Sequence, residues 1–371
     1  MAEQAHGGNR YGRFITQDFS VNTNPMGLPD YVRKVLQKAA CKDDNLWEWY
    51  PDPDCSRLRK ALSVYHSVPK EHIVCGNGAS ELIWAIVRAA AQEGPVTAVL
   101  PVPSFSEYER ALLAVGADIR YDSLKEEQDF ALTDEVLERL TPEVDMLFLG
   151  NPNNPVGNLI RPKLLDRVLE RCLENGIVVI LDECFRELAI ESGEEEECGT
   201  DKTYIKRLLD TSWVSAYPNL ILLKAFTKLY AMPGVRLGYC ICGNGEAAGR
   251  LQAQLPCWNV SNLAQFAGLT ALDLGKCIDY ISQSRGLICT ERKFLRTFLE
   301  KPGMRLLPGD ANFLCFYTGY PLCEGLLKRG ILIRDCAGFD GLGRGWYRIA
   351  VRTRQENETL LEEIKRLKKG R

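Results

Sequence analysis

The sequence is informative first through what it lacks. Its 371 residues contain no apolar run approaching the roughly 18 residues that a membrane-spanning helix needs, so we expect no membrane partner. The opening segment, MAEQAHGGNR, has no apolar stretch, so we predict no signal peptide. The formal net charge of -3 shows no basic excess, so we expect no nucleic-acid partner.

The cysteines lack the spacing of a metal site or a disulfide framework. There are 14 of them, scattered along the chain without a CxxC pair, and the closest two are Cys240 and Cys242. We therefore predict no metal site, and reduced thiols in the cytoplasm. The composition, 46% hydrophobic and 26% charged, is ordinary for a globular protein.

Short apolar runs alternate with amphipathic segments through the first two thirds of the chain. This alternation predicts an α/β fold with a mostly parallel central sheet covered by helices on both faces. Near residue 257 the pattern changes to one long helix, predicted over 265–299, followed by strand-like runs and a basic helix. The runs expected to be strands of the main sheet are 73–75, 96–100, 118–121, 146–149, 177–181 and 220–223.

The change of pattern predicts a large and a small domain. We expect an N-terminal arm with part of the small domain at 1–42, a large α/β domain at 43–256 and a small α+β domain at 257–371.

A lysine and an arginine follow the apolar run 220–223. Lys228 comes just after this run, and Arg236 lies eight residues further on. A lysine at that place can form an imine with a carbonyl cofactor, and the arginine can bind a phosphate of the same cofactor. Alternatively, Lys228 is an ordinary surface lysine. Lys224 is a second candidate for the imine, although it lies within the apolar strand pattern.

A glycine-rich turn separates the strand 73–75 from an apolar helix predicted at 82–91. The turn reads Gly76-Asn77-Gly78-Ala79-Ser80-Glu81. Such a turn directs free backbone N–H groups and the positive end of the helix dipole toward one point, which suits a phosphate. The segment matches neither GxGxxG nor GxxxxGK[ST], so on its own it is a weak signal.

Two more strand ends carry polar groups. Asp182 ends the strand 177–181, and Asn154 lies in the turn NPNNPVG, which could also be a plain turn. Ligands of parallel sheets bind at the carboxyl ends of the strands, where Lys228 is also expected. Pyridoxal 5'-phosphate needs this combination: a lysine for its carbonyl carbon, a carboxylate for its ring nitrogen and an amide for its ring oxygen.

Several segments, in their order along nearly the whole chain, resemble the fold-type I pyridoxal-phosphate enzymes of aminotransferase class I/II. They are GNGASE, PSFSEY, NPNNPVG, DECF and FTKLYAMPGVRLGY. The resemblance implies that Lys228 is the Schiff-base lysine and that Phe105 stacks on the cofactor ring. It implies that Tyr50 reaches the cofactor phosphate of a neighbouring subunit, in a homodimer with a shared active site. The cofactor-binding residues that it implies are Tyr50, Gly78, Ala79, Ser80, Phe105, Asn154, Asp182, Thr227, Lys228 and Arg236.

Within this family, HGGN (His6 to Asn9), DFSVNTNPMG and GILIRDC resemble the threonine-phosphate decarboxylases most, and the histidinol-phosphate aminotransferases next. The first resemblance implies decarboxylation of L-threonine O-3-phosphate to (R)-1-aminopropan-2-yl phosphate in cobalamin biosynthesis. The alternative is an aminotransferase. The substrate carboxylate and phosphate would be bound by His6, Asn22, Arg334 and Arg348.

The chain departs from the family pattern at two positions. Ala225 stands where many relatives have Ser or Thr, so one hydroxyl for the cofactor phosphate is missing. Phe185 stands where many aminotransferases have a tyrosine that donates to the ring oxygen. The phenylalanine leaves Asn154 alone in that role and favours the decarboxylase subgroup.

Overall fold

The structure, a computed structural model, describes residues 7–42, 45–191 and 200–369. Its strands are β1 Gln17–Asp18, β2 Ile73–Gly76, β3 Thr97–Val102, β4 Asp118–Ser123, β5 Met146–Gly150, β6 Val178–Asp182, β7 Leu220–Ala225, β8 Gly238–Cys242, β9 Met304–Leu306, β10 Phe313–Thr318, β11 Ile331–Leu332, β12 Arg334–Asp335 and β13 Trp346–Ala350. Its helices are α1 Asp30–Lys42, α2 Asn45–Glu48, α3 Ser56–His66, α4 Ala79–Ala91, α5 Ser106–Ala114, α6 Pro162–Glu174, α7 Lys202–Leu209, α8 Phe226–Leu229, α9 Gly245–Gln252, α10 Asn262–Ala271, α11 Leu274–Leu299, α12 Leu322–Leu327 and α13 Arg354–Lys369.

A seven-stranded sheet forms the centre of the molecule, with the strand order β2-β8-β7-β6-β5-β3-β4. The pairs from β7 to β4 are all parallel, and β8 is antiparallel to both of its neighbours. Helices cover the sheet, as in the α/β architecture that the alternating pattern predicts, and the fold class is confirmed. The parallel strands end at one edge, where Gly150 of β5 pairs with Asp182 of β6.

Both faces of the central sheet are buried. Leu147, Val179 and Leu222 belong to the hydrophobic core on one face. Phe148 and Ile180, the next residues along β5 and β6, belong to the core on the other face. Successive side chains of a strand point to opposite faces, so burial on both faces requires continuous apolar runs rather than alternation.

Two elements differ from the sequence prediction. Strand β8 was not predicted, because its run GYCIC is short and begins at a glycine. The helix expected over 265–299 is two helices, α10 and α11, separated at Leu272 and Asp273. Asp273 has an extended backbone immediately before α11, a position that aspartate favours.

A second, antiparallel sheet lies in the C-terminal part of the chain, with the order β12-β13-β10-β9. The N-terminal arm joins this region. Gln17 of β1 pairs with Ile331 of β11, and the Ala350 N–H donates to the Phe19 carbonyl at 2.8 Å. The domain boundaries at 42/43 and 256/257 remain a proposal. Among the described helices, none combines the length and the apolar character needed to cross a membrane.

Candidate active site

A cavity of about 450 Å³ lies where the central sheet meets the C-terminal sheet. The loops after β5 and β6 and helix α8 form one side, and β12, β13 and the N-terminal arm form the other. This cavity is lined by most of the residues that were predicted to bind the cofactor or the substrate. They come from the N-terminal arm, the central sheet and the C-terminal sheet, which are far apart in sequence. They are Asn22, Ala79, Ser80, Phe105, Asn154, Asp182, Thr227, Lys228, Arg236, Arg334 and Arg348.

Lys228 lies in α8, directly after strand β7, and lines the cavity. Its Nζ atom is 5.5 Å from the ring centroid of Phe185. Burial, and next the charge of Arg348, lower the pKa of Lys228 from its ordinary value to about 8. A substantial share of this lysine is therefore a neutral amine near pH 8, and the neutral form is the one that attacks a carbonyl carbon.

Lys224, the second candidate, has different surroundings. Its side chain is buried at the end of β7, and its Nζ atom lies 2.8 Å from Glu187 Oε1 and 3.2 Å from Glu183 Oε2. Burial lowers the pKa of Lys224, but the charges of Glu187 and Glu183 outweigh burial and leave this pKa above its ordinary value. Lys224 is thus a protonated member of a buried ion cluster, whereas Lys228 faces the cavity.

Asp182 is held through both of its carboxylate oxygens. Its Oδ1 accepts from the Cys184 N–H at 2.9 Å, and its Oδ2 accepts from the Tyr108 hydroxyl at 2.7 Å. The contact with Tyr108 was missed by the sequence reasoning. The motif PSFSEY, which ends at Tyr108, marks this segment in the sequence but does not show that the tyrosine contacts Asp182.

Arg348 connects three parts of the site. Its guanidinium donates to Asn154 Oδ1 and, at 2.9 Å, to the Ser20 carbonyl of the arm. Its Nε atom is buried without a hydrogen-bond partner in the described part of the chain. Burial, and the like charge of Arg334, lower the pKa of Arg348 to about 10, so it stays charged at neutral pH. A charged guanidinium that lines a cavity and has donors left unpaired fits an anionic ligand.

The glycine turn after β2 lies against Arg236. Gly78 has φ 84° at the start of α4, and a Cβ atom built there would be only 2.8 Å from Arg236 Nη2. A side chain at this position would have to adopt a strained positive φ and would displace the end of the Arg236 side chain. Arg236 and the N-terminus of α4 thus lie together at the place where the sequence predicts a phosphate site, with Ala79 and Ser80 in the cavity wall.

Gly78→Ala is expected to weaken the binding of pyridoxal phosphate at least about tenfold, because displacement of one phosphate donor costs about 1.5 kcal/mol or more. Gly116→Ala is the matched control. Gly116 also has a positive φ, 73°, but nothing lies within 4 Å of its added Cβ atom. Absorbance titration of the cofactor-free proteins measures both affinities. Equal weakening in the two variants would attribute the effect to backbone strain and contradict the role of Arg236.

The N-terminal arm supplies Asn22 to the cavity. Asn22 is 1% exposed, and its Oδ1 atom has no partner within the described ranges. Within the arm, the Gly8 N–H donates to Ser20 Oγ at 2.7 Å. His6, the other residue that the resemblance places in this arm, lies outside the described residues.

The two arginines predicted to bind the substrate lie side by side. Arg334 of β12 and Arg348 of β13 are register partners, and both line the cavity. The Arg334 guanidinium lies 5.0 Å from the ring centroid of Phe339, which sequence reasoning did not single out. The cavity thus contains two adjacent cations for anionic groups of a ligand.

Tyr50 does not line the cavity. It is 77% exposed and stacks on Trp258, with ring centroids 4.3 Å apart. Its expected contact with the cofactor of a neighbouring subunit remains a prediction. Phe185 lines the cavity between Lys228 and Phe313, with its ring centroid 5.2 Å from that of Phe313.

The fold and the cavity together define a class of protein. A mostly parallel sheet carries a lysine that lines the cavity, a carboxylate held by two hydrogen bonds and a glycine turn beside an arginine at one edge, and a smaller sheet adds two arginines. This is the architecture of the aminotransferase-type α/β enzymes. The chain belongs to the aminotransferase class I and II family, whose sequence profile matches residues 16–364.

Three similar proteins illustrate this relationship. The threonine-phosphate decarboxylase of Salmonella typhimurium is 37% identical over 95% of this chain and 91% of its own. The adenosylcobalamin biosynthesis bifunctional protein CobDQ of Leptospira interrogans is 31% identical over 93% of this chain and 38% of its own. The crystal structure of the histidinol-phosphate aminotransferase from Clostridium acetobutylicum has a TM-score of 0.81 and 30% identity, and the match covers 96% of this chain and 100% of that one.

Proposed function

We propose that this chain is a pyridoxal-phosphate-dependent decarboxylase that converts L-threonine O-3-phosphate to (R)-1-aminopropan-2-yl phosphate and carbon dioxide in cobalamin biosynthesis. One structural observation carries the proposal: Arg334 and Arg348 are adjacent and line the same cavity as Lys228. A substrate that carries both a carboxylate and a phosphate beside its amine matches two cations and one reactive lysine. The similarity to the Salmonella decarboxylase supports this choice of substrate.

The residues of the cavity fit pyridoxal phosphate. Lys228 would bind its carbonyl carbon, Asp182 its ring nitrogen and Asn154 its ring oxygen, while Phe105 would lie against the ring. The phosphate would bind to Arg236, Thr227 and the turn Gly78-Ala79-Ser80, where the missing Cβ atom of Gly78 leaves room for the arginine. When bound, this cofactor supplies a conjugated ring that accepts the electron pair of a bond broken at the substrate α-carbon.

The residues of the chain then determine which bond breaks. Arg348 binds the substrate carboxylate through the N–H groups that face the cavity, and Arg334 binds the phosphate, with Asn22 and His6 beside them. Held in this way, the substrate would present its bond from the α-carbon to the carboxylate, rather than its bond to the α-hydrogen, perpendicular to the plane of the cofactor ring. As carbon dioxide leaves, the α-carbon takes a proton in its place, and Lys228 donates that proton. The pKa of Lys228, lowered to about 8 by burial and by Arg348, suits a group that gives and regains a proton near neutral pH.

The proposal includes the assembly and the compartment. Two copies of the chain form a homodimer in which Tyr50 of each reaches the cofactor phosphate of the other. Tyr50 is exposed and is not among the residues that line its own cavity, and both observations support this arrangement. The 14 scattered cysteines support a reducing compartment, the cytoplasm.

Amino transfer is the second candidate function. The observation that favours it is the close structural match to the Clostridium histidinol-phosphate aminotransferase. An aminotransferase needs the same lysine, carboxylate and phosphate site, but it must remove the α-hydrogen of the substrate instead of the carboxylate.

A product assay distinguishes the two functions. The purified protein, loaded with pyridoxal phosphate, is given L-threonine O-3-phosphate with 2-oxoglutarate present. We expect carbon dioxide and an equal amount of aminopropanol phosphate, and no glutamate, because Arg348 and Arg334 orient the carboxylate for loss. L-Threonine without the phosphate is the control, and its turnover should be at least about 100-fold lower, as for loss of a charged contact of about 3 kcal/mol. Formation of glutamate without carbon dioxide would contradict the decarboxylase.

A further inference from the structure

Tyr108 contacts the Asp182 carboxylate from a different element of the fold. Asp182 ends β6, and Tyr108 lies in the first turn of α5, with its hydroxyl 2.7 Å from Asp182 Oδ2. The second donor to the carboxylate, the Cys184 N–H, is local, since it lies only two residues further along the chain. Tyr108 is thus the tertiary contact that stops the carboxylate from rotating about its Cβ–Cγ bond.

The position of Tyr108 is itself fixed. Its side chain is 2% exposed, and its ring stacks on Phe148 of β5, with centroids 5.1 Å apart and planes inclined by 23°. The edge of the same ring meets Phe105, with centroids 5.6 Å apart and planes at 87°. Phe105 and Asp182 both line the cavity. One side chain therefore supports the aromatic wall and the carboxylate together.

The Tyr108 hydroxyl is a permanent donor. Burial, and next the charge of Asp182, raise the pKa of Tyr108 well above its ordinary value, so the phenol keeps its proton throughout the physiological range. A neutral donor spreads the negative charge of a carboxylate without adding a charge of its own. A carboxylate oriented in this way presents its negative charge to a ligand nitrogen, and a nearby negative charge favours the protonated form of that nitrogen.

We propose that Tyr108 is a positioning residue that orients Asp182 toward the ring nitrogen of the bound cofactor and keeps the shared proton on that nitrogen. This inference rests on the proposed function, because it assigns Asp182 to the ring of pyridoxal phosphate. Tyr108 also lines the cavity, but its hydroxyl donates to Asp182 and not toward the place of the substrate in this assignment. Its effect is exerted through Asp182, and a variant without the hydroxyl should change the properties of the ring nitrogen specifically.

Tyr108→Phe tests the inference, because it removes one oxygen and keeps both aromatic contacts. The cofactor-free protein is titrated with pyridoxal phosphate and with its 1-deaza analogue, in which a C–H group replaces the ring nitrogen. We expect the variant to bind pyridoxal phosphate about tenfold more weakly, the usual effect of losing a hydrogen bond to a charged group. The analogue has no ring nitrogen for Asp182 to bind, so its affinity should fall less than about twofold. The ¹⁵N resonance of ring-labelled cofactor should shift toward the value of an unprotonated pyridine.

Tyr121→Phe is the matched control. The Tyr121 hydroxyl also donates to a carboxylate, Glu109 Oε1 at 2.6 Å, but this pair lies on the surface outside the cavity. Both affinities and the ¹⁵N resonance should match the wild type in this control. In an Asp182→Asn background, Tyr108→Phe should have no further effect on cofactor affinity, and this comparison does not depend on how well the single variant folds.

The outcomes separate the inference from the proposed function. Equal weakening for both compounds, or a further loss in the Asp182→Asn background, would make Tyr108 a purely structural residue and overturn the inference. Unchanged affinity and an unchanged ¹⁵N resonance would overturn it as well, while the proposed function would stand. A wild-type chain that binds neither compound would overturn the proposed function itself.

Discussion

Lys228→Ala is expected to lower decarboxylase activity by at least about 10³-fold and to abolish the visible absorbance of the lysine-bound cofactor. The variant loses both the amine that attaches the cofactor and the group that returns a proton to the substrate, and a positioned acid or base alone contributes about 10²- to 10⁴-fold. Absorbance spectra and carbon dioxide release measure the two effects.

Because the pKa of Lys228 is lowered to about 8, attachment of the cofactor to the wild type should accelerate as the pH rises from 7 to 9 and then level off.

Borohydride reduction followed by peptide mass spectrometry supplies the control for this variant. In the wild type, the reduced cofactor should be found on the peptide that contains Lys228. In Lys228→Ala, no lysine should be labelled, because the neighbouring candidate, Lys224, is protonated and held by Glu183 and Glu187. A label on Lys224 in either protein would contradict the assignment.

Lys224→Met is expected to lower the free energy of unfolding at pH 7.5 by about 3–5 kcal/mol, the usual effect of removing one partner from a buried ion cluster. The substitution leaves Glu183 and Glu187 buried without their cation. Lys202→Met is the matched control, since its pair with Asp279 is exposed on both sides, and its loss should cost less than about 1 kcal/mol. Urea unfolding of both variants measures these differences.

The destabilisation caused by Lys224→Met should decrease as the pH falls. Burial raises the pKa of Glu187, but the charge and hydrogen bond of Lys224 outweigh burial, so this pKa lies below its ordinary value in the folded protein. The glutamate therefore stabilises the wild type above its ordinary pKa, and this contribution is lost as the pH falls through the folded value. In Lys224→Met, burial of Glu187 costs less once this glutamate is protonated, so the free energies of unfolding of the wild type and the variant should differ less at pH 5 than at pH 7.5. An equal difference at both pH values would argue against the ion cluster as the cause.

The strand ends of the central sheet could be predicted from the sequence for a simple physical reason. Parallel strands buried on both faces are continuous apolar runs, and all of their carboxyl ends lie at one edge. Such runs are followed by Asn154, Asp182 and Lys228. The sequence alone therefore predicts that these three residues lie close together.

The choice between Lys224 and Lys228 could not be made in this way. Lys224 continues the strand pattern, and only the packing of Glu183 and Glu187 around it explains why a charged residue is buried there.

Contacts between distant elements were the part that the sequence left undetermined. The hydrogen bond from Tyr108 to Asp182 depends on how α5 packs against the end of β6, which no local pattern specifies. The same holds for the link from Arg348 to the Ser20 carbonyl, which joins residues at opposite ends of the chain. Motifs in the sequence marked these segments, but the partner of each side chain became apparent only from the tertiary structure.

The pairing of β1 with β11 has a consequence for how the protein is made. Thr16 and Gly330, which flank this pair and are joined by a hydrogen bond, are 314 residues apart in sequence. During synthesis the arm emerges long before its partner strand, because 314 residues separate Thr16 from Gly330. The strands that carry Asp182 and the lysine-bearing helix α8 can therefore assemble before the arm has its partner strand. Asn22 can join Arg348 only once β13 has been synthesised, so the residues predicted to bind the cofactor come together before those predicted to bind the substrate.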